Sequence, residues 1–490
     1  MSSQTESVAE MTLQSAVRSN APLAIVIMAA GKGTRLKSRR PKVLHEIGGR
    51  PLLAHVIAAA TGVVPADRVY VVIGHQADHV RQAVAPLGVR FVEQTEQRGT
   101  GHAIQCARRA VADFENILVL SGDVPLIHRE VIERLWKFHQ TQRAAMTLLT
   151  ATPADPTGYG RVMRAAPDAP EVEAIVEQKA LTAEQQRIGE INAGIYAFRT
   201  EPLFAHLDEL KSENAHAELY LTDMAHVLRN AGERVVAVEA PDAAEVLGAN
   251  TLAELASLDS ALRAANARGL MASGVTIFRP ETCVIDAEVE VAPDTVIEPF
   301  VQLLGATRIG GDCRIRSFTV IENCDIGDSV EVRQNCVLSG SSIAAGARIG
   351  PFAHLRAESQ IGENAHIGNF IETKKTRLAK GAKANHFAYL GDSEIGAGSN
   401  IGAGTIICNY DGVNKNRTRI GEGVFVGSNS TLVAPVTIED GAYIGAASCI
   451  TKDVPAEALA VGRARQVVKP GWAAARRNRR QKASLPEKGR

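Results

Sequence analysis

The sequence predicts two domains of different architecture: an α/β domain with a parallel sheet flanked by helices, followed by a β-helix built of hexapeptide repeats. From Leu23 to about residue 250, short apolar runs alternate with longer helix-compatible stretches, which is typical of α/β domains. From residue 274 onward, aliphatic residues recur every six positions, a period that neither an α-helix nor an ordinary strand supports. With 490 residues the chain is long enough for at least two cores.

Charge and cysteine content exclude several classes of protein. Lysine plus arginine (54) balance aspartate plus glutamate (54), so no nucleic-acid partner is expected. The seven cysteines include no C-x-x-C pair, which argues against a zinc site or a disulfide framework and predicts buried thiols in a reducing, cytoplasmic compartment. The apolar run Leu23–Ala30 is too short for a membrane span, so no membrane insertion is expected. Residues 1–22 are predicted to be a disordered tail, and residues 468–490 a solvated one with the basic run Arg476–Lys482.

Small residues followed by cations mark the first candidate site. The predicted strand Ala24–Met28 leads into Ala29-Ala30-Gly31-Lys32-Gly33-Thr34-Arg35, and Lys42 follows. Backbone N–H groups of small residues can approach an anion closely, so we interpret this segment as a phosphate-binding loop. Its spacing matches neither a Walker loop nor the dinucleotide-binding motif, and an ordinary strand-to-helix turn is the alternative.

A carboxylate follows a second predicted strand. Ile117–Leu120 ends in Ser121-Gly122-Asp123, which puts Asp123 at the carboxyl end of a parallel strand, where α/β sheets bind ligands. Mg²⁺ prefers oxygen ligands and keeps waters and substrate phosphates, so Asp123 and one amide oxygen, for which Asn250 is the candidate, suffice to hold it. The alternative for Asp123 is a turn or helix-cap residue.

A linker helix is predicted over residues 251–273. Thr251 and Glu254 can form a capping box at its start. Leucines recur at helical spacing, ahead of a glycine that can end the helix: Leu252, Leu255, Leu258, Leu262 and Gly269.

The hexapeptide register extends over residues 274–467. If each hexad forms one side of a triangular prism, its aliphatic side chain points inward and stacks on the equivalent residue of the next coil. An irregular β-sandwich is the alternative. The prism is too narrow to hold a substrate, so we expect ligands outside it, between copies of an oligomer. Three runs keep the register: Ile285, Val291, Ile297, Leu303, Ile309, Ile315, Ile321; Ile343, Ile349, Leu355, Ile361, Ile367; and Ile420, Val426, Leu432, Ile438, Ile444, Ile450.

From about Leu23 to Trp472 the chain resembles the family of bifunctional N-acetylglucosamine-1-phosphate uridyltransferases/glucosamine-1-phosphate acetyltransferases. The resemblance implies an α/β Rossmann-like nucleotidyltransferase domain over residues 23–250 and a left-handed parallel β-helix over residues 274–467. The chain departs from the family before Leu23, at Met28, where a leucine is common, and in a longer stretch between Arg164 and Glu177. The matching motifs are Ala29–Arg35 with Lys42, Gln94 with Gly99-Thr100-Gly101-His102, Gly122-Asp123-Val124-Pro125-Leu126, Gly158-Tyr159-Gly160-Arg161 and Asn192-Ala193-Gly194.

The resemblance also implies the roles of the first site. N-acetylglucosamine-1-phosphate attacks the α-phosphorus of UTP and pyrophosphate leaves, while Arg35, Lys42 and Mg²⁺ offset the growing charge. No protein nucleophile is needed, because positioning and electrostatics dominate phosphoryl transfer. Asp123 and Asn250 would hold the Mg²⁺. Nucleotide and sugar contacts would come from Met28, Ala29, Ala30, Gly31, Gln94, Gly99, Thr100, Ser121, Gly122, Gly160, Glu177 and Asn192.

His386 is the candidate catalytic base of the second site. Transfer of an acetyl group from a thioester to an amine needs a base, and a neutral imidazole can act as one; a structural histidine is the alternative. The surrounding cations suit a sugar phosphate, although a solvated basic face would look the same. The polar loop Cys408–Arg417 interrupts the register and is expected to serve recognition. Cys408 lies near the base, but direct transfer to the amine needs no acetyl-cysteine.

The resemblance divides the other residues of this site into two groups. Contacts to the sugar phosphate are implied for Arg356, Lys374, Tyr389, Asn400 and Lys415. Contacts to acetyl-CoA are implied for Ala403, Asn409, Tyr410, Ser428, Ala446 and Arg463.

By the same resemblance the chain is expected to form a homotrimer. It would first acetylate glucosamine-1-phosphate and then make UDP-N-acetylglucosamine, which feeds peptidoglycan and lipopolysaccharide synthesis. One alternative is a single-activity sugar-1-phosphate nucleotidyltransferase with an oligomerising β-helix, which leaves the matches around His386 unexplained. The other is a non-catalytic trimeric scaffold, which would carry degraded motifs, whereas those in this sequence are intact.

Overall fold

The structure is a computed structural model that describes residues 23–166, 169–212 and 218–483. The predicted disordered tail, residues 1–22, lies outside the described residues. The chain divides into two compact units between Asn266 and Ala267, and each is treated by itself below.

A nine-stranded sheet organises the first unit. Its main path runs β11-β7-β10-β6-β1-β4-β5, and a β8–β9 pair attaches to β10, while β2 and β3 form a separate hairpin. The strands are β1 (Leu23–Ala29), β2 (Glu46–Ile47), β3 (Arg50–Pro51), β4 (Val69–Ile73), β5 (Arg90–Glu93), β6 (Asn116–Ser121), β7 (Met146–Ala151), β8 (Arg161–Arg164), β9 (Val172–Val176), β10 (Ile191–Arg199) and β11 (Val235–Glu239).

The expectation of a wholly parallel sheet is wrong in one respect. β1 pairs in parallel with β4 and β6, but β10 runs antiparallel to both β6 and β7. A central strand is buried on both faces whichever way it runs, so its apolar sequence does not reveal its direction.

Helices cover both faces of this sheet. Successive residues of β1 alternate between two cores: Ile25 and Ile27 face one, Ala24 and Val26 the other. The helices are α1 (Leu52–Thr61), α2 (Ala77–Val84), α3 (Thr100–Val111), α4 (Arg129–Gln142), α5 (Thr200–His206), α6 (Met224–Asn230) and α7 (Leu252–Ala272). Short 3₁₀ turns occur at Thr34–Leu36, Lys42–Leu44, Ala66–Arg68, Ala85–Leu87, Gln178–Ala180, Gln185–Arg187, Leu207–Glu209, Leu221–Asp223 and Ala243–Val246.

Helix α7 occupies the segment predicted as a linker helix. The predicted capping box forms: Glu254 N–H donates to Thr251 Oγ1 (3.2 Å), and Thr251 N–H donates to Glu254 Oε2 (3.1 Å). Leu258 is buried in a small cluster with Ile47 and Leu52. Gly269 does not end the helix, which continues to Ala272, because a glycine inside a helix costs only about 1 kcal/mol.

The second unit is a parallel β-helix of short strands. One 3₁₀ turn, Pro280–Thr282, lies among them. The strands are β12 (Thr276–Ile277), β13 (Val284–Ile285), β14 (Glu290–Val291), β15 (Val296–Ile297), β16 (Gln302–Leu304), β17 (Arg308–Ile309), β18 (Arg314–Ile315), β19 (Val320–Glu322), β20 (Asp325–Ile326), β21 (Glu331–Val332), β22 (Val337–Ser339), β23 (Ser342–Ile343), β24 (Arg348–Ile349), β25 (His354–Leu355), β26 (Gln360–Ile361), β27 (His366–Lys374), β28 (Arg377–Leu378), β29 (Lys383–Gly391), β30 (Ser393–Ile395), β31 (Asn400–Ile401), β32 (Ile406–Cys408), β33 (Thr418–Ile420), β34 (Phe425–Val426), β35 (Thr431–Val433), β36 (Val436–Ile438), β37 (Tyr443–Ile444), β38 (Cys449–Ile450) and β39 (Leu459–Ala460).

These strands stack into three parallel faces, as predicted for a triangular prism. The first face contains β14, β17, β20, β23, β26, β28, β30, β33 and β36. The second contains β12, β15, β18, β21, β24, β31, β34, β37 and β39, and the third contains β13, β16, β19, β22, β25, β32, β35 and β38. The long strands β27 and β29 continue from the second face into the third. The arrangement is consistent with the predicted left-handed β-helix.

The predicted aliphatic register fills the interior. Every residue of its three runs is buried. Between the first two runs the ladder continues through Ile326, Val332 and Leu338. It loses phase because the steps from Ile321 to Ile326 and from Leu338 to Ile343 are five residues long instead of six.

One edge of the prism carries an exposed aromatic column. It lies where the second and third faces meet, and we call it the phenylalanine edge: Phe300, Phe318, Phe352, Phe370 and Phe387. Phe300 stacks on Phe318 with ring centroids 5.1 Å apart, and Phe352 stacks on Phe370 at 5.4 Å. The first face, opposite this edge, presents mostly charged and polar side chains outward, among them Arg308, Gln360 and Arg377.

Two further predictions need correction. Cys449 is exposed, because it takes the outward position of its strand, whereas Cys283, Cys313, Cys324 and Cys336 are buried as expected. The predicted tail contains helix α8 (Trp472–Ala483), whose described side chains are exposed as far as Arg480. No helix among the described residues is both long and apolar enough to cross a membrane.

Candidate active sites

The first site is a cavity of about 480 Å³ at the carboxyl ends of β1, β5 and β6. The carboxyl edge of a parallel sheet is where α/β folds place their ligands. Most of the residues predicted for the nucleotide line this cavity: Met28, Ala29, Ala30, Gly31, Lys42, Gln94, Gly99, Thr100, Ser121 and Asp123. Gly122, also predicted, supports the wall by donating its N–H to Met28 O at 3.0 Å.

The phosphate-binding loop depends on one glycine. Gly33 has φ +60°, and a Cβ built there would lie 2.5 Å from Cβ of Lys42. Any other residue would be strained and would push Lys42 away. The loop and Lys42 therefore line the same cavity.

Four predicted side chains converge next to this loop. Lys42 Nζ forms an ion pair with Asp123 Oδ2 and donates to Asn250 Oδ1 at 2.9 Å. Arg35 Nη2 donates to the same Asn250 oxygen at 2.8 Å. The Asp123 and Asn250 oxygens thus point at a common cation, the Lys42 ammonium. A carboxylate oxygen and an amide oxygen that meet in this way are ligands suited to Mg²⁺.

No group of three or more His, Cys, Asp or Glu residues is arranged to hold a metal in the part of the chain that the structure describes. A Mg²⁺ ion held by Asp123 and Asn250 would therefore complete its shell with water and substrate phosphate oxygens. This donor set fits the predicted ion.

The three residues predicted for the sugar form a second group. Asn192 N–H donates to Gly160 O at 2.9 Å, and a Cβ built on Gly160 would lie 3.7 Å from Cδ of Glu177. Burial raises the pKa of Glu177. The hydrogen bond that Thr222 Oγ1 donates to this carboxylate at 3.3 Å acts in the opposite direction but is the smaller effect. Thr222, which sequence reasoning missed, holds one oxygen of this carboxylate by its hydrogen bond.

His386 is exposed on the phenylalanine edge, immediately before Phe387. Its Nδ1 lies 2.9 Å from Oδ1 of Asn369, the residue beside it on the preceding coil. Because an amide oxygen only accepts hydrogen bonds, Nδ1 carries the proton and Nε2 is left as the basic nitrogen. Asn369 is a second residue that sequence reasoning missed; its position one coil before His386 is the signal that could have revealed it.

Cations gather at the other end of the strands that carry this histidine: Lys374 pairs with Gly391, five residues beyond the Asn369–His386 pair. Lys415 lies next to Lys374, and this contact, together with the charge of Arg356, lowers the pKa of Lys374. The polar loop holds Lys415 in place: Lys415 forms a β-bridge with Tyr410, and Asp411 Oδ1 accepts from the N–H groups of Val413 and Asn414. Like charges brought this close suit a doubly charged anion such as a sugar phosphate.

The residues predicted for acetyl-CoA follow the same edge toward the last coils. Ala403, Ser428 and Ala446 stand at successive turns between the second and third faces, and Arg463 Nη1 donates to Ala446 O at 2.7 Å. Tyr410 is exposed, but Asn409 is buried and donates to Asp392. Tyr389 belongs to the third face and Asn400 to the second, so within one chain the edge separates them.

Comparison with known proteins agrees with both halves of this description. Residues 25–207 match the family model of the MobA-like NTP transferase domain, and residues 417–452 match that of the bacterial transferase hexapeptide (six repeats). The "Bifunctional protein GlmU" of Koribacter versatilis (strain Ellin345) is 61% identical over 464 residues, covering 94% of this chain and 99% of that protein.

Two more proteins of that name are similar over nearly their whole length. The one from Solibacter usitatus (strain Ellin6076) is 51% identical over 93% of this chain and 98% of its own. The one from Sorangium cellulosum (strain So ce56) is 48% identical over 92% of this chain and 96% of its own. The chain therefore belongs to the family of bifunctional GlmU proteins, the uridyltransferases and acetyltransferases that its motifs resemble.

Proposed function

We propose that the cavity at the end of β1 performs uridyl transfer and that the phenylalanine edge around His386 performs acetyl transfer. The chain is a bifunctional enzyme of UDP-N-acetylglucosamine synthesis. The edge acetylates glucosamine-1-phosphate with acetyl-CoA, and the cavity joins the product, N-acetylglucosamine-1-phosphate, to UMP from UTP. Seven free thiols, with no disulfide among the described residues, suit work in the cytoplasm.

In the first site, this chain's residues orient the two substrates and balance charge. The loop after β1 binds the triphosphate through backbone N–H groups, and Glu177 and Asn192 bind the sugar. Arg35 and Lys42 neutralise the negative charge that grows as the sugar phosphate attacks and pyrophosphate leaves. Mg²⁺, held by Asp123 and Asn250, would supply further electrostatic stabilisation of the phosphates when bound.

In the second site, His386 Nε2 removes a proton from the amino group of glucosamine-1-phosphate. The amine then attacks the thioester carbonyl and the C–S bond breaks; the nitrogen's second proton passes to the departing sulfur, so CoA leaves as the thiol, and the imidazolium returns its proton to water. Arg356, Lys374 and Lys415 bind the phosphate of the sugar. The small residues Ala403, Ser428 and Ala446 leave the edge clear for the pantetheine arm, and Arg463 pairs with CoA phosphates.

The observation that carries the acetyl-transfer assignment is the environment of His386. The imidazole is exposed and its tautomer is fixed by Asn369, while the cations Arg356, Lys374 and Lys415 cluster at the far end of the third face, which begins at this edge. The same edge exposes five phenylalanines, which a second copy of the chain would cover. We therefore include a homotrimer in the proposal, with copies meeting along this edge and completing one another's second site.

Two matched variants test whether the sites are independent. His386→Ala should abolish CoA release from acetyl-CoA and glucosamine-1-phosphate, while pyrophosphate release from UTP stays close to wild type. Asp123→Ala should do the reverse, losing Mg²⁺-dependent uridyl transfer and keeping acetyl transfer. If either variant, shown to be folded by circular dichroism, lost both activities equally, the assignment of two separate sites would be wrong.

A further inference from the structure

Beside the first cavity, Gln94 is hydrogen-bonded to His102, a residue that has no role in the scheme above. Gln94 follows β5, is almost fully buried, and lines the cavity. Its Nε2 donates to Gly99 O at 3.0 Å and lies 3.1 Å from Nδ1 of His102, in the first turn of α3. Cys106, one turn later, places Sγ 3.8 Å from Nε2 of the same imidazole.

These contacts fix the protons of the pair. A carbonyl oxygen only accepts, so the Gln94 atom that faces Gly99 O must be the nitrogen. Its second N–H then points at His102 Nδ1, which must be unprotonated to accept it. The imidazole proton therefore sits on Nε2 and faces Cys106, whose half-buried thiol stays neutral because partial burial raises its pKa.

The amide orientation determines what Gln94 offers to a ligand. Both N–H groups are used within the protein, and among the described residues none donates to Oε1. Gln94 thus presents a hydrogen-bond acceptor to the cavity. Uracil has a ring N3–H that such an acceptor can bind, whereas cytosine has an unprotonated N3 that would face it lone pair to lone pair.

We propose that His102 is a positioning residue that fixes the Gln94 amide and thereby makes the first site select a uracil nucleotide over a cytosine nucleotide. The inference rests on the proposed uridyl transfer and deepens it. A flipped amide would present N–H groups to the cavity and would suit cytosine. In the protein as it stands, that flip breaks two hydrogen bonds and sets an oxygen against both Gly99 O and the Nδ1 lone pair.

Removing the imidazole leaves Gly99 O alone to oppose the flip. One hydrogen bond contributes about 1 kcal/mol, which corresponds to roughly a five- to tenfold change in preference. The effect should fall on nucleotide choice and on KM for UTP, because His102 touches no reacting atom. A side chain that places a hydrogen-bond acceptor near the position of Nδ1 should restore the nucleotide preference and the KM for UTP.

The test compares two replacements of similar size. His102→Leu fills much of the space without an acceptor, and His102→Asn supplies an amide oxygen. We would measure kcat/KM for UTP and for CTP by pyrophosphate release with N-acetylglucosamine-1-phosphate. The Leu variant should raise KM for UTP and lower the UTP-to-CTP preference about five- to tenfold, with kcat changed less, and the Asn variant should recover most of the preference.

Cys106→Ala is the control, since it keeps the imidazole and should keep the preference. CoA release by each variant reports an intact chain, and calorimetric affinities for UTP and CTP give the same comparison without turnover. A Leu variant with wild-type preference would overturn the inference, as would equal losses in the Leu and Asn variants. Wild-type protein that released no pyrophosphate from UTP would count against the proposed function instead.

Discussion

His139 is a buried histidine that stays neutral in the folded protein. Burial, assisted by the charge of Arg199, lowers its pKa to about 4, and its Nδ1 lies 2.7 Å from Thr147 Oγ1. The unfolded chain binds a proton at an ordinary imidazole near pH 6.5, so between these two values it holds more protons than the folded protein. The stability that neutral His139 contributes is therefore fully present above about pH 6.5 and is lost as the pH drops toward 4.

We predict that His139→Gln flattens this dependence. The amide keeps a partner for Thr147 but does not titrate. Urea unfolding at pH 7.5 and pH 5, followed by fluorescence of Trp136, which stacks on His139, gives the free energy of unfolding. Protonation of His139 should lower the free energy of unfolding of the wild type by up to roughly 3 kcal/mol between pH 6.5 and pH 4. The variant should lose distinctly less over the same pH range. Equal losses in both proteins would show that His139 does not carry the acid sensitivity.

Sequence reasoning identified candidate ligand contacts but gave no role to the residues that orient them. His386, Gln94 and Glu177 follow from motifs, because a family pattern is written in the residues that meet substrate. Their partners Asn369 and Thr222 come from other turns of the chain, and His102 stands in a matched motif without a role of its own; all three make ordinary hydrogen bonds. Such partners become visible only when the register between coils or between strand and helix is known.

At the scale of elements, the strand that carries His386 has almost no room to move. A Cβ built on Gly368 in β27 would lie 1.9 Å from the backbone oxygen of Asn385 in β29. A backbone atom cannot rotate away as a flexible side chain can, so any larger residue at 368 must push the two coils apart.

Gly368→Ala is therefore predicted to destabilise the β-helix by about 2 kcal/mol and to lower acetyl transfer more than tenfold through displacement of His386. Uridyl transfer should be unchanged. Gly269→Ala is the matched control: its added Cβ meets nothing within 4 Å, and it should stabilise α7 slightly. Calorimetry and the two half-reactions measure these effects, and wild-type CoA release by Gly368→Ala would contradict the close approach.

Elements differ in how far sequence predicts them. The aliphatic register predicts the faces of the prism, since each coil must bury one residue per side in the same place. The direction of β10 and the five-residue sides that shift the register could not be predicted. Both depend on pairing partners far along the chain, and a buried apolar residue looks the same in either arrangement.

At the scale of the whole molecule, the β-helix is asymmetric in its surface. The first face carries charged and polar side chains, while the opposite edge carries a column of phenylalanines with His386 among them. Phe318 and Phe387 are 58% and 66% exposed, which is unusual for aromatic side chains that recur along one edge, although Asn335 interrupts the column between Phe318 and Phe352. The sequence argument that a narrow prism binds ligands outside itself led to an oligomer, but it did not say which edge would be shared.

We predict that the phenylalanine edge holds the copies of the chain together. Phe318→Glu with Phe370→Glu places charges in the middle of the column, where burial against a second copy would desolvate them without a partner. Sedimentation should then show smaller species, and acetyl transfer should fall as the protein is diluted. Uridyl transfer, whose cavity lies within one chain, should not change with concentration.

Gln360→Glu with Ser342→Glu is the matched control, because it adds the same two charges on the polar first face. Its assembly and both activities should equal those of the wild type. If the phenylalanine variant kept its assembly and its concentration-independent acetyl transfer, the copies would have to meet elsewhere, and each second site would be complete within one chain. Loss of assembly with full acetyl transfer would separate the two claims: the edge would then hold the copies together without completing the site.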